Sequence, residues 1–419
     1  MDSSNIEQRN NSTSEASVST ADENSTNLFA DQPAESLESQ QKAKARAEKA
    51  EAIRRACDAH DIETLISSAI TEGGLLDDAL RQRAWPILLH CDESTILDDS
   101  KPLKEQSRHV DEDQVQLDVD RSFVYYPNVP AEELSEKKKQ LSALITQILR
   151  NHPMLCYFQG YHDIVQVLLL VLGKHRALPA MTQLSLFRIR DYMLPSLSPA
   201  VKHLQLIPAI IETVDPVLRR HLSTIQPFFA LAATLTLYAH DIQEYSDIAR
   251  LFDYLLAREP VVAIYLFAAI ILSRKEELLD IPLDEPEMLH FKLSKLPYPL
   301  DLDGHISSAE RLFEDHPPET LPFGAWKHVP SCSVLKTTRD PYHKYTVEEA
   351  EQLFKQQTRQ LQNEERRQKA LDFARKHRRA VGSVALAILV GAASIYIRRK
   401  GLDTSIWSYF GWLRGVFKG

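Results

Sequence analysis

Between Asp61 and about Phe313 the large apolar residues recur at intervals of three and four positions. Leu141, Leu144, Ile145 and Ile148 form one such stripe; Leu231, Leu235 and Leu237, then Ile248, Leu251 and Phe252, form others. This spacing puts each set on one face of a helix and predicts a succession of amphipathic helices. Strand-like alternation bounded by hairpin turns is not seen, and the lone Asp303-Gly304 pair has no alternating flanks. The expectation is an all-α domain. Two continuous apolar runs depart from the pattern. "VVAIYLFAAIIL", 261 to 272, has twelve residues, which suits a buried core helix better than a membrane span. "AVGSVALAILVGAASIYI", 380 to 397, has eighteen uncharged residues between Arg375, Lys376, Arg378 and Arg379 before and Arg398, Arg399 and Lys400 after. Basic flanks and that length predict a transmembrane helix.

The remaining segments follow from composition. Residues 1–38 are Ser, Asn, Glu, Thr and Gln with few large apolar groups, too little to offset the entropy of ordering, and are read as a disordered tail. A charged helix is predicted from Gln40 to about Ala59, within an N-terminal helical segment 39–72. The main domain is placed at 73–315. Prolines 317, 318, 322, 330 and 341 make 316–345 an irregular linker or a strap over the domain. "TVEE", Thr346 to Glu349, is a capping box that opens a polar helix over 346–379, read as a solvated spacer. After the span, Trp407, Tyr409, Phe410 and Trp412 mark 398–419 as an aromatic tail lying at a bilayer interface or forming the second leg of a hairpin.

Charge and cysteine usage narrow the function classes. A net charge of −9 argues against nucleic acid as a partner. The four cysteines lie far apart with no CxxC pair, so neither a disulfide framework nor a metal site is expected. No apolar segment follows Met1, so no secretory signal peptide is expected.

Candidate chemistry centres on "YFQGYHD", 157 to 163, where polar residues stand at the mouth of an apolar run. Gln159 is a poor helix cap, so its position needs another cause. In "VQLDVDRS" Asp118 and Arg121 are three apart, which by itself describes an ion pair on a helix surface. In "LRQRAWPILL", 80 to 89, Arg81 and Trp85 share a helix face and read as core packing. His162, Asp163 and the nearby Cys156 invite comparison with a hydrolase. Adjacent residues diverge by about 100° on a helix, and no nucleophile elbow or P-loop occurs, so hydrogen bonding at the helix start or partner contact is the better reading.

Four motifs together resemble the TBC-domain family of Rab GTPase-activating proteins. They are LRxxxW at Arg81 and Trp85, an IxxDxxR-like Val115, Asp118 and Arg121, YxQG at Tyr157 to Gly160, and RLxD from Arg250 to Asp253. The resemblance covers about residues 73 to 315. "LDVDRS", "GYHDIV" where most members have Met-Asn, and the C-terminal span are similar to the endoplasmic-reticulum-anchored branch acting on the early secretory Rab. "FFALAATLTLYAH", 228 to 240, lacks the tryptophan common in the late signature.

The resemblance implies an arginine finger at Arg121 and a glutamine finger at Gln159, supplied in trans to accelerate GTP hydrolysis. Asp118 is then expected to hold the guanidinium, Tyr157 to support the site, and Gly160 to allow close backbone approach to the nucleotide. Ile164 to Leu172 anchor the glutamine loop, while Arg81, Trp85, Arg250 and Asp253 belong to structural motifs. The chain needs no cofactor of its own, since Mg²⁺ and GTP are carried by the Rab. Its expected partners are a GTP-bound Rab and, through 380–397, the endoplasmic reticulum bilayer, with the domain facing the cytosol. A catalytically silent Rab-binding scaffold and a membrane-shaping anchor protein are the alternatives.

Overall fold

The computed structural model describes residues 37–91 and 106–376, and every regular element among them is helical. The tail over 1–36, the end of the polar helix after Lys376, the span 380–397 and the aromatic tail 398–419 lie outside the described residues. The principal helices are α1 Leu37–Ala59, α2 Ile62–Ile70, α3 Asp78–Leu88, α4 Glu112–Asp120, α5 Ala131–Asn151 and α6 Tyr161–Phe187. They continue with α7 Leu206–Val214, α8 Tyr245–Ala257, α9 Val262–Ser273, α10 Leu302–Asp315 and α11 Val347–Lys376. Short helices and 3₁₀ turns join them.

Local sequence explains the helix starts. Asp61 and Asp77 cap α2 and α3 by accepting hydrogen bonds from the backbone N–H groups of Thr64 and Leu80. Asp301 does the same for α10 at Gly304. The stripe Leu141, Leu144, Ile145 and Ile148 is buried on α5, which packs along α6. The 261–272 run forms α9, buried along its length against α7 and α10, so the core assignment holds. α6 is itself long and apolar enough to cross a membrane, yet 67% of its most apolar stretch is buried within the fold. It kinks at Gly173, whose φ of 70° and ψ of 166° depart from helical geometry. The part of α1 from Glu48 onward contributes Ile53, Ala56 and Cys57 to the core.

The C-terminal segments differ from the spacer reading. Thr346 and Glu349 form the expected reciprocal capping box, at 2.8 Å and 3.3 Å. One face of the first half of α11 is nevertheless buried, at Ala350, Phe354 and Gln357. The Gln357 amide donates to Asp191 and its oxygen accepts from Arg190 Nε at 2.7 Å, and both partners are fully buried. The proline-rich segment is a strap, tied down where Ser333 hydrogen-bonds to Asp191 and His203. A helix of polar composition is thus recruited into the core by three residues on one face. From Gln362 onward its described side chains are exposed.

Candidate functional site

Arg121 sits at the C-terminal end of α4, where its N–H still bonds to the Asp118 carbonyl at 3.1 Å. The chain then turns sharply. Phe123 adopts a left-handed φ of 60°, and its N–H donates to the Gln166 side chain of α6 at 2.9 Å. This turn leaves the Arg121 side chain 67% exposed at the protein surface.

Asp118, by contrast, is buried at 1% exposure, which corrects its reading as half of a surface ion pair. Its carboxylate accepts from Arg121 Nη2 at 2.6 Å, from Tyr157 Oη at 2.9 Å and from Gln114 Nε2 at 3.1 Å. A buried carboxylate with three donors gives the exposed guanidinium a fixed base, because leaving any lone pair unmet there is costly. The Tyr157 hydroxyl is pushed well above its ordinary pKa by burial and by the adjacent Asp118 charge, so it remains a donor.

The loop preceding α6 alternates inward and outward. Tyr157 N–H is pinned by Asp111 at 2.9 Å, and Phe158 is buried edge-on against Tyr161 and Tyr192. Gln159 then points out, exposed and without a hydrogen bond to any other described residue. Gly160 follows with φ 100°, and a Cβ there would lie 2.5 Å from Thr236 Cγ2. The close approach that requires glycine is therefore to Thr236 inside this fold, a cause different from the expected nucleotide contact. With an anchor before it and a left-handed turn after it, Gln159 has little choice of direction.

His162 and Asp163 open α6. His162 Nδ1 lies 3.2 Å from Tyr157 Oη, and its Nε2 lies 3.3 Å from Asp163 Oδ1. His240 Nδ1 reaches Asp163 Oδ2 at 3.0 Å. His162 and Asp163 thus lie within ion-pair range at the helix start, and their side-chain hydrogen-bond partners among the described residues are Tyr157 and His240. Burial pushes the His162 pKa down, while the hydrogen bond to Asp163 raises that of His240. His240 borders an open groove of about 610 Å³ whose walls include Tyr125, Glu244, Asp247, Lys295 and Tyr298.

The remaining motif residues gather elsewhere. Asp253 of α8, fully buried, accepts from Arg81 Nε at 3.0 Å, Trp85 Nε1 at 2.8 Å and the Leu75 N–H at 2.9 Å. Arg250 binds Asp303 at 2.8 Å and the carbonyls of Ala69 and Thr71 at 3.0 Å and 3.1 Å. These four residues clamp α2, α3, α8 and α10 together. Sequence reasoning missed Gly74, whose added Cβ would lie 2.5 Å from Asp253 Oδ2; the Gly73-Gly74 pair before an N-cap was the available signal. It also missed Asp111, Gln166 and His240, whose partners lie from 43 to 77 residues away along the chain, or 46 in the case of Asp111. Among the described residues no group of three or more His, Cys, Asp and Glu side chains could hold a metal ion.

Residues 78–279 match the model of the Rab-GTPase-TBC domain. The chain is 34% identical to GTPase-activating protein gyp10 of Schizosaccharomyces pombe, over 73% of this chain and 82% of that one. It is 32% identical to TBC1 domain family member 20 of Homo sapiens, over 83% and 87% respectively. Among solved structures it resembles the Ypt/Rab-GAP domain of Gyp1p, at 14% identity and a TM-score of 0.48, over 60% of this chain and 92% of that one.

Proposed function

The chain belongs to the Rab-GTPase-TBC domain family, and from that premise we propose that it activates a Rab GTPase of the early secretory pathway by supplying Arg121 and Gln159 in trans. The observation that carries this reading is the pairing of an exposed Arg121 with a buried, three-donor Asp118. A guanidinium serving only to neutralise Asp118 has no reason to be presented at the surface. Held this way, its remaining N–H donors are available to the oxygens of a transferring phosphoryl group, where negative charge develops. Gln159, exposed and without a hydrogen bond to another described residue, is the group that orients the attacking water in this reading. The protein completes another protein's active site, and the Mg²⁺ and GTP come with the Rab.

Val124 and Tyr125, just past Arg121, are 74% and 52% exposed, and Tyr298 across the groove is 95% exposed. Exposed apolar and aromatic groups that follow Arg121 in the chain or line the groove suit a docked protein surface. Residues 380–397 act in this reading as the tether to the endoplasmic reticulum membrane, with the domain in the cytosol.

The test is phosphate release from a panel of GTP-loaded Rabs. Arg121→Ala is expected to lower the stimulated rate by about 10³-fold or more while binding persists. Arg121→Lys should fail as well, because a point charge cannot reproduce the planar fork. A Rab whose own switch glutamine is changed to Leu should still respond to the wild-type chain and lose that response with Gln159→Ala. Near-wild-type rates from Arg121→Ala would refute the arginine assignment. Rab binding without any acceleration by the wild-type chain would favour the silent scaffold.

A further inference from the structure

The hydrogen-bond chain beneath Arg121 is one proton short when His162 is neutral. Tyr157 Oη lies within reach of both Asp118 Oδ2, at 2.9 Å, and His162 Nδ1, at 3.2 Å, and it has a single proton. If that proton goes to Asp118, His162 must carry a hydrogen on Nδ1 to bond the tyrosine oxygen. A neutral ring then presents the bare Nε2 lone pair to the Asp163 carboxylate 3.3 Å away. If the neutral ring instead carries its hydrogen on Nε2, Nδ1 takes the tyrosine proton, and the buried Asp118 loses a donor. Only the doubly protonated ring serves both neighbours while Tyr157 donates to Asp118.

We infer that His162 is a positioning residue for Arg121, acting through Tyr157 and Asp118, and that its gain of a proton tightens the support of the guanidinium. The effect on turnover rests on the reading of Arg121 as the arginine finger. The groups facing His162 are Tyr157 and Asp118 on one side, with Arg121 beyond them, and Asp163 and His240 on the other. The two carboxylates favour the charged ring; burial, Arg121 and His240 oppose it. Burial is the largest of these, so the change falls below the ordinary histidine range. The sign follows: the support is complete at the acid end and loosens as pH rises. His240 holds Asp163 Oδ2 and so keeps the carboxylate turned towards His162.

The experiment uses the full-length chain purified in mild detergent, with a soluble GTP-loaded Rab, and reads kcat and KM across pH about 5.5 to 8. Wild type is expected to lose several-fold in kcat as pH rises, on the scale of one weakened hydrogen bond, with KM little changed. His162→Asn, which can still bond Tyr157 but cannot titrate, should give a flat ratio to the Rab's intrinsic rate. A second measurement needs no partner: nitrogen NMR of labelled histidine rings should find His162 with its neutral-state hydrogen on Nε2, leaving Nδ1 to accept from Tyr157. That hydrogen should shift to a mixture of the two nitrogens in Tyr157→Phe. A pH profile of His162→Asn that matches wild type overturns the inference. So does a neutral His162 protonated only at Nδ1, which would leave the Tyr157–Asp118 bond intact. Failure of the wild-type chain to stimulate any Rab would instead count against the function, leaving the NMR result to judge the proton arrangement.

Discussion

Gly160 is the residue on which the presentation of Gln159 turns. Its φ of 100° and the 2.5 Å separation of a hypothetical Cβ from Thr236 Cγ2 impose two distinct penalties on any side chain. Gly160→Ala is expected to lose about 1–3 kcal/mol of stability, measured by urea unfolding. Thr236→Ser deletes the clashing methyl while keeping the hydroxyl that bonds back to Ala232 at 2.9 Å, so the double variant should recover the steric share alone. Full recovery would mean that the backbone conformation costs nothing; no recovery would deny the contact. Asp253 makes a sharper case. Asp253→Ala strips the fully buried partner from Arg81, itself only 8% exposed, and should cost about 3–5 kcal/mol, seen as a lower unfolding midpoint. Residue spacing revealed Asp118 and Arg121 as a pair but not which of them is buried. That depends on Tyr157, which arrives from 39 positions away, and no local pattern encodes such a crossing.

At the scale of elements, amphipathic spacing was sufficient for α5 and α8, and the continuous apolar run for α9, because their burial is decided by their own apolar residues. It was insufficient for α11, whose composition is that of a solvated helix and whose docking rests on Ala350, Phe354 and Gln357. The reason lies in what it covers. Arg190 and Asp191 are fully buried and require polar partners, and one glutamine, a donor and an acceptor together, supplies both. Gln357→Ala should therefore destabilise the domain by about 1–3 kcal/mol, with the loss read from thermal unfolding. A chain ending at residue 345 would also expose the apolar surface under Phe354, and should unfold at lower denaturant concentration than one ending at residue 376. Equal midpoints for the two would return α11 to the status of a spacer. Assays of the isolated domain accordingly need α11.

For the whole molecule, the question is where the domain works. Residues 380–397 lie outside the described residues, so the case for a tether rests on eighteen uncharged residues with basic flanks. The fold adds an argument by removing competitors: α6 and α9, the long apolar helices among the described residues, are consumed by the core. α11 leads towards the tether as an exposed helix from Gln362 to Lys376, a reach of about 20 Å at the usual rise per residue. Along it Leu371 and Phe373 are 48% and 61% exposed, apolar groups suited to the boundary between water and lipid. A span this short fits the thinner endoplasmic reticulum bilayer better than the plasma membrane. Confinement to that surface raises the concentration at which the domain meets a membrane-bound Rab without altering the site itself. Deleting residues 380–419 should thus leave the rate on a soluble Rab unchanged, move the protein from the carbonate-resistant pellet to the soluble fraction, and weaken its action on Rab-bearing vesicles. Retention of the shortened chain in that pellet would overturn the tether, since α6 and α9, the other apolar helices among the described residues, cannot enter a bilayer without unfolding the core.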